Sequence, residues 1–183
     1  MQINSLMNKF IFSLLVLLIA STARSQPPKT YVFIGPAMFQ ALKGGGGVMF
    51  GGNAGGGFYF KAASLGLGID VFGRKAAGAA APVYADLRIY FNKKVTRPYV
   101  TIQPGYVIRN RSESSFGATS TEKGGPYVAG GLGLMAKVSK VGVFIQAKIA
   151  MLSFEEVSKY NGQWIGSSSS RPAYVGLAAG IIF

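Results

Sequence analysis

Charged side chains occupy positions inside several stretches of this sequence that are otherwise apolar. In one stretch Asp86 and Arg88 are separated by the single residue Leu87. An acid and a base two positions apart on a β-strand lie on the same face, where an ion pair can form between them. Other charged residues likewise lie within stretches that are otherwise apolar. The sequence predicts a charge network with five members: Asp70, Asp86, Arg88, Lys137 and Lys148.

The composition limits the chemistry that such charges could perform. The chain of 183 residues contains no histidine and no cysteine. Mechanisms that use histidine as a general base are therefore excluded, and so are disulfide bonds. A serine–lysine dyad remains open on composition, although no serine–lysine pair has a distinguishing spacing. We expect a protein that is not an enzyme and that binds no cofactor and no metal ion.

The charged positions belong to segments in which apolar residues alternate with polar or small residues, and this period indicates two-faced β-strands. Six segments alternate clearly: residues 64–72, 83–91, 98–109, 127–138, 141–151 and 174–183. Two less regular segments, 30–39 and 48–60, raise the number to eight. The inward face of segment 30–39 stays unassigned because both of its faces are apolar. Lengths of about 9–12 residues are close to what a tilted strand needs to cross a bilayer.

The connections between these segments alternate between short and long. The short ones span residues 61–63, 92–97 and 139–140, and the long ones span residues 40–47, 73–81, 110–125 and 153–171. Short periplasmic turns and long outer loops are typical of outer-membrane barrels. We therefore predict an all-β fold, namely an eight-stranded antiparallel up-and-down transmembrane β-barrel.

Such a barrel would determine where the charged side chains point. A lysine or arginine that faced lipid at mid-depth would cost about 2–4 kcal/mol, so we expect the network to face the lumen. An eight-stranded barrel is only wide enough for side chains to fill its interior. We therefore predict a lumen plugged by the charge network, with a narrow channel for small solutes as the alternative.

The amino-terminal residues have the features of an export signal. Lys9 precedes the apolar segment 10–20, and the small residues Ala23 and Ser25 follow at the positions expected for a cleavage site. The sequence predicts a signal peptide over residues 1–25 and a barrel over residues 26–183.

The segment 174–183 resembles the terminal strand of bacterial outer-membrane β-barrel proteins, which the barrel-assembly machinery recognises. The matching positions are Gly176, Ala178, Ile181 and Phe183, although Gly176 replaces a usual polar residue and Ala178 a usual glycine. In its strand pattern and connections, the whole segment 26–183 resembles small outer-membrane barrels of the outer-membrane-protein-A-like and PorT-like kind. The resemblance implies an outer-membrane location and the assembly machinery as a partner during biogenesis.

Aromatic residues cluster near the ends of the predicted strands, as they do in interfacial girdles. The expected periplasmic girdle comprises Tyr31, Phe58, Phe60, Phe91, Tyr99 and Phe183. The expected outer girdle comprises Phe39, Phe50, Phe72, Tyr106, Tyr127 and Tyr174.

The chain is strongly basic, with a formal net charge of +13. Basic residues in or beside the long loops can pair with lipopolysaccharide phosphates through charge-assisted hydrogen bonds, or they can simply solvate the rim. These residues are Lys43, Arg74, Lys75, Arg111, Lys123, Lys159 and Arg171. Their scattered positions and the export signal argue against a nucleic-acid partner. The short turn at 92–97 is also basic, and the sequence assigns no role to it.

Together these features predict a non-enzymatic, monomeric, integral outer-membrane barrel that contacts membrane lipids and has a structural or loop-mediated interaction role. A narrow channel is one alternative. A secreted, soluble barrel that binds a hydrophobic ligand, as lipocalins do, is the other. Outward apolar faces on at least six of the predicted strands oppose it.

Overall fold

The structure is a computed structural model that describes residues 29–43, 47–74, 78–91, 95–116, 118–138, 141–161 and 163–183. The predicted signal peptide lies outside the described residues, and so do Lys75 and the turn segments 92–94 and 139–140. Within the described ranges, no helix is long and apolar enough to cross a membrane.

The described chain is built from β-strands joined in one sheet. The strands are β1 (Lys29–Ala41), β2 (Met49–Phe60), β3 (Ala63–Arg74), β4 (Gly78–Tyr90), β5 (Thr96–Ile108), β6 (Asn110–Ser115), β7 (Ala118–Val138), β8 (Val141–Tyr160), β9 (Gln163–Ser170) and β10 (Ala173–Ile182).

The sheet closes on itself because the first strand, β1, pairs with the last, β10, with Phe33 opposite Ile182. On the other side of the ring, β7 pairs with both β5 and β8. The closed ring therefore follows the order β1, β2, β3, β4, β5, β7, β8, β10 and back to β1, with every neighbouring pair antiparallel. The predicted eight-stranded antiparallel barrel is confirmed for this ring.

Burial alternates along the strands of the ring, so one face of each strand forms the interior. In β10 the side chains of Val175, Leu177 and Ile181 are 39%, 43% and 43% exposed, whereas Ala178 is buried. In β8 every second residue from Gly142 to Phe154 is buried or nearly so. The predicted outward apolar faces are therefore present, and the interior is formed by the other face.

The structure also assigns the inward face of β1, which the sequence left open. Tyr31, Phe33, Ala37 and Phe39 are buried, while the intervening apolar side chains are exposed. The large aromatic side chains face inward, where they fill space beside the glycine-rich strands β2 and β3.

The segments 110–125 and 153–171, which were predicted as long outer connections, are themselves built from β-strands. β6 pairs with residues 118–123 of β7, those residues pair with the end of β8, and the end of β8 pairs with β9. These four segments continue the barrel wall as a sheet that we call the polar extension. Its strands show no apolar alternation because neither of their faces lines the barrel. Their threonine residues are nevertheless favourable in β-strands. The connection at 73–81 is likewise shorter than predicted, because β3 ends at Arg74 and β4 begins at Gly78.

The predicted aromatic girdles are only partly correct. Five of the proposed girdle residues point into the barrel and are 1–3% exposed: Tyr31, Phe39, Phe72, Tyr99 and Tyr127. Others face outward as predicted: Phe50, Phe58, Phe91, Tyr106 and Phe183. Aromatic rings suit both an interfacial belt and a tight interior, so aromatic content near a strand end does not identify the face.

Candidate functional site in the barrel interior

The first ion pair of the interior lies on a single strand. Asp86 and Arg88 both point inward from β4, as residues two positions apart must. Arg88 Nη2 and Nε lie 2.6 Å and 2.8 Å from the same carboxylate oxygen, Asp86 Oδ2. The other oxygen, Oδ1, accepts hydrogen bonds from Thr101 Oγ1 and Gln103 Nε2, each at 3.0 Å. Four donors therefore satisfy this buried carboxylate.

The second ion pair crosses the lumen. Asp70 lies on β3 and Lys148 on β8, and these strands are four positions apart around the ring in either direction. Lys148 Nζ lies 2.5 Å from Asp70 Oδ2. The tyrosine hydroxyls of Tyr84 and Tyr127 donate to Asp70 at 2.9 Å and 3.4 Å. The pair therefore links opposite walls of the barrel.

Gln103 on β5 joins the two ion pairs. Its amide nitrogen donates to Asp86, and its amide oxygen Oε1 accepts from Lys148 Nζ at 3.2 Å. Each end of the amide meets a group of complementary charge, which determines the amide orientation. Asp70, Lys148, Gln103, Asp86 and Arg88 thus form one continuous network, which we call the lumenal network. It contains two carboxylates and two cations, so its formal charge is zero.

Aromatic rings surround the cations of the lumenal network. The Arg88 guanidinium carbon lies 4.7 Å from the centroid of the Phe33 ring and 5.3 Å from that of Tyr99. Lys148 Nζ lies 5.3 Å from the Phe39 ring centroid. A cation over a ring face gains about 0.5–2 kcal/mol, the larger values applying where water is excluded. The interior is therefore aromatic as well as charged, which the sequence pattern did not predict.

Glycine residues make room for these rings. A Cβ on Gly68 would lie 2.5 Å from Cε2 of Tyr84, and one on Gly176 would lie 2.7 Å from Cδ1 of Phe39. Any larger residue at either position would displace the ring that packs against the lumenal network. The small inward residues of the strand pattern therefore have a packing role.

The structure brings together four of the five predicted charges and separates the fifth. Asp70, Asp86, Arg88 and Lys148 are 0–3% exposed. Lys137 is exposed near the end of β7, one residue before the strand ends, and so does not belong to the lumenal network. The alternation places Lys137 on the inward face, but β7 ends one residue later, so the side chain lies at the end of the barrel rather than in its interior.

Sequence reasoning missed the polar partners that make the network continuous. Thr101 and Gln103 of β5, which donate to Asp86, are not among the predicted network residues. The same is true of Tyr84 and Tyr127, whose hydroxyls donate to Asp70. Their inward positions were available from the alternation. The cross-strand and cross-lumen contacts were not, because they depend on ring closure.

The buried carboxylates are occupied by cations and donors, and within the described ranges no group of three or more His, Cys, Asp or Glu side chains could hold a metal ion. The arrangement is suited to fastening opposite walls of the barrel to each other.

Solved structures share the fold of this barrel. The crystal structure of Neisserial surface protein A matches with a TM-score of 0.65 at 14% sequence identity, covering 86% of this chain and 98% of that one. The fold is that of the small bacterial outer-membrane β-barrel proteins. The N-terminal β-barrel domain of OprF from Pseudomonas aeruginosa also matches this barrel, with a TM-score of 0.51, 16% identity, and coverage of 86% and 100%. No protein-family model and no curated protein matches the chain in sequence.

The other predicted site residues lie on different parts of this outer-membrane-type barrel. Gly176 and Ala178 are buried on the inward face of β10, while Ile181 and Phe183 are exposed. Lys43 and Arg171 are exposed beside strand ends, and Lys123 and Lys159 are exposed on the polar extension. Arg74 and Arg111 lie in β3 and β6.

Proposed function

We propose that this protein is a non-enzymatic integral barrel of the outer membrane, with a sealed interior and with the polar extension available for contacts outside the bilayer. Its location is supported by two features. The outward side chains of the ring are apolar, for example Leu67, Leu132 and Val143, which are 69%, 65% and 52% exposed. The fold is shared with outer-membrane barrels.

The observation that carries the sealed interior is the ion pair between Asp70 and Lys148. It joins strands on opposite sides of the ring, and both side chains are at most 1% exposed. The side chains of Asp86 and Arg88 are equally inaccessible. A water-filled pathway would leave charged atoms of its lining accessible to water, so these burial values favour a plug over a narrow channel.

The soluble-barrel alternative is opposed by the distribution of polar groups. A lipocalin-like barrel would have an apolar cavity and a polar exterior. This barrel has charges in its centre and apolar side chains on its outward face.

The interaction role rests on the polar extension. Trp164, Ile165 and Tyr160 are 67%, 59% and 51% exposed on it, although its other residues are mostly polar. Exposed aromatic side chains in a polar surround are typical of contact surfaces. We propose that this surface meets an external partner.

Lipopolysaccharide remains the proposed ligand for the outer basic residues, but fewer of these residues are good candidates than the sequence alone indicated. Lys123 lies directly opposite Glu155 in the β7–β8 register, so its charge has an acidic neighbour. Lys43 and Arg171, which are exposed next to strand ends, are the better candidates.

Conductance measurement tests the sealed interior. The wild-type protein, inserted in a planar bilayer, should show no stepwise ion current. Asp86→Asn should lower stability without creating one, because the lumenal network fastens the barrel rather than lining a pore. Steady wild-type channels whose conductance changes in Asp86→Asn at unchanged stability would refute the plug. Recovery of the chain in carbonate-washed envelope membranes, with heat-modifiable gel mobility, tests the location separately.

A further inference from the structure

All the acidic residues of the chain lie in two parts of the structure. The chain has six aspartate and glutamate residues. Asp70 and Asp86 are buried in the lumenal network. The glutamates all lie on the polar extension or at its base: Glu113, Glu122, Glu155 and Glu156. Among the described residues, the opposite end of the barrel therefore carries no acidic side chain.

That opposite end, which we call the turn end, carries lysines. Lys29 begins β1, Lys61 occupies the turn between β2 and β3, and Lys137 lies at the end of β7. All three are exposed. Lys29 is opposite Tyr59, two residues before Lys61, so these two lysines are neighbours on the rim. We call Lys29, Lys61 and Lys137 the basic rim.

Other contacts place Lys137 on the same rim. Its backbone N–H donates to the carbonyl oxygen of Val95 at 3.0 Å, next to the start of β5. It is also opposite Gly142, which in turn is opposite Ile182 near the end of β10. The basic rim therefore extends along an arc of the turn end rather than forming a single local cluster.

Exposed apolar side chains lie at the same level on the outward face. Phe58, Phe91, Val95 and Phe183 are 48%, 65%, 68% and 59% exposed. Aromatic rings beside lysines are the arrangement found at a membrane–water interface, where rings lie at headgroup depth and lysines extend towards the phosphates. A polyanion in solution would require the charges but not these apolar neighbours.

We propose that the basic rim binds the phosphate groups of anionic phospholipids in the leaflet that surrounds the turn end. This inference rests on the proposed membrane location and adds a lipid specificity to it. The nearest acidic side chains, in the lumenal network, are already paired with cations and do not compete. Each lysine close to an anionic surface strengthens binding about fivefold, so three lysines can produce a marked preference.

The test is native mass spectrometry of the folded full-length protein in detergent with equimolar phosphatidylglycerol and phosphatidylcholine of matched chains. The wild type should retain phosphatidylglycerol in excess of phosphatidylcholine by about tenfold or more. The triple variant Lys29→Gln/Lys61→Gln/Lys137→Gln should bring that ratio close to one. The matched arginine triple at these positions should retain the preference, because it keeps the charges.

A double variant controls for loss of charge elsewhere on the protein. Lys123→Gln/Lys159→Gln removes two exposed lysines from the polar extension and should leave the preference unchanged. Equal retention of both lipids by the wild type, or an equal loss of preference in the rim triple and in this double variant, would overturn the proposal. The proposal would also be overturned if the protein showed no lipid preference but sedimented with isolated peptidoglycan in a way that the glutamine triple of the basic rim abolished. Heat-modifiable gel mobility in all variants shows that the barrel itself is intact. A loss of lipid preference with retained mobility would therefore count against the basic rim and not against the proposed outer-membrane barrel.

Discussion

Asp70 on β3 and Lys148 on β8 lie on opposite sides of the ring, and their side chains meet in the lumen with 2.5 Å between Oδ2 and Nζ. The two residues are 78 positions apart in sequence. A barrel wall is held by hydrogen bonds between neighbouring strands, whereas this contact spans the lumen. It can therefore form only after the ring has closed.

Removing one partner of this pair should be costly. Lys148→Met leaves the Asp70 carboxylate in the interior without its cation, and the expected loss is about 3–5 kcal/mol in the free energy of unfolding. Guanidinium titration of the folded protein in detergent micelles measures it.

The double variant Asp70→Leu/Lys148→Met serves as its control. It removes both charges, and replacement of a buried ion pair by apolar residues is often neutral or stabilising. We expect the double variant to regain most of the loss. A double variant as unstable as Lys148→Met would show that the ion pair itself, rather than the avoided burial of a lone charge, supports the barrel.

Gln103 should couple the two ion pairs. Gln103→Leu removes hydrogen bonds to two charged groups, each worth about 1.5–3 kcal/mol. Thr101→Val is the matched comparison, because it removes a single bond to Asp86 from the adjacent inward position of the same strand. The unfolding midpoint should fall clearly further in Gln103→Leu than in Thr101→Val. Equal shifts would mean that Gln103 contributes no link between the pairs.

Gly176 is predicted to act through packing. A methyl group there would lie 2.7 Å from the Phe39 ring, so Gly176→Ala should destabilise the barrel by about 1–3 kcal/mol. Gly130→Ala is the control, because its Cβ would find only the Thr101 carbonyl oxygen at 3.9 Å. It should be close to neutral.

A second substitution separates packing from the proposed assembly signal. Phe39→Leu removes ring volume next to Gly176, so Gly176→Ala/Phe39→Leu should be less destabilised than the sum of the two single changes. Refolding from urea into detergent, without assembly machinery, is the measurement. Strict additivity in that assay, with an assembly defect in cells, would favour the signal.

The ring was predictable because apolar residues alternate with polar or small residues in six of its eight strands. Asp86 and Arg88, for example, alternate with apolar residues that share the other face of the strand, so the alternation indicates that both charges point the same way. β1 was ambiguous because Tyr31 and Phe33 are as apolar as their outward neighbours, and only the closed barrel distinguishes the faces.

The polar extension and the cross-lumen contacts were not predictable in the same way. Strand-forming residues such as Thr119 and Thr121 lie in a stretch where neither face is apolar, so a period of two could not be detected. The meeting of Asp70 with Lys148 depends on the ring order, which a list of strands does not contain. Lys137 was misplaced because alternation carries no information on where the barrel ends.

The central claim is that the outward apolar face of the ring lies in lipid, and one pair of variants tests it most directly. Leu67, in the middle of β3, and Ile165, on the polar extension, are 69% and 59% exposed. If both faced water, arginine at either position would change stability by less than about 0.5 kcal/mol. In phospholipid vesicles, Leu67→Arg should instead cost about 2–4 kcal/mol and Ile165→Arg close to nothing. Equal, negligible effects of the two substitutions on the unfolding midpoint in vesicles would contradict the account.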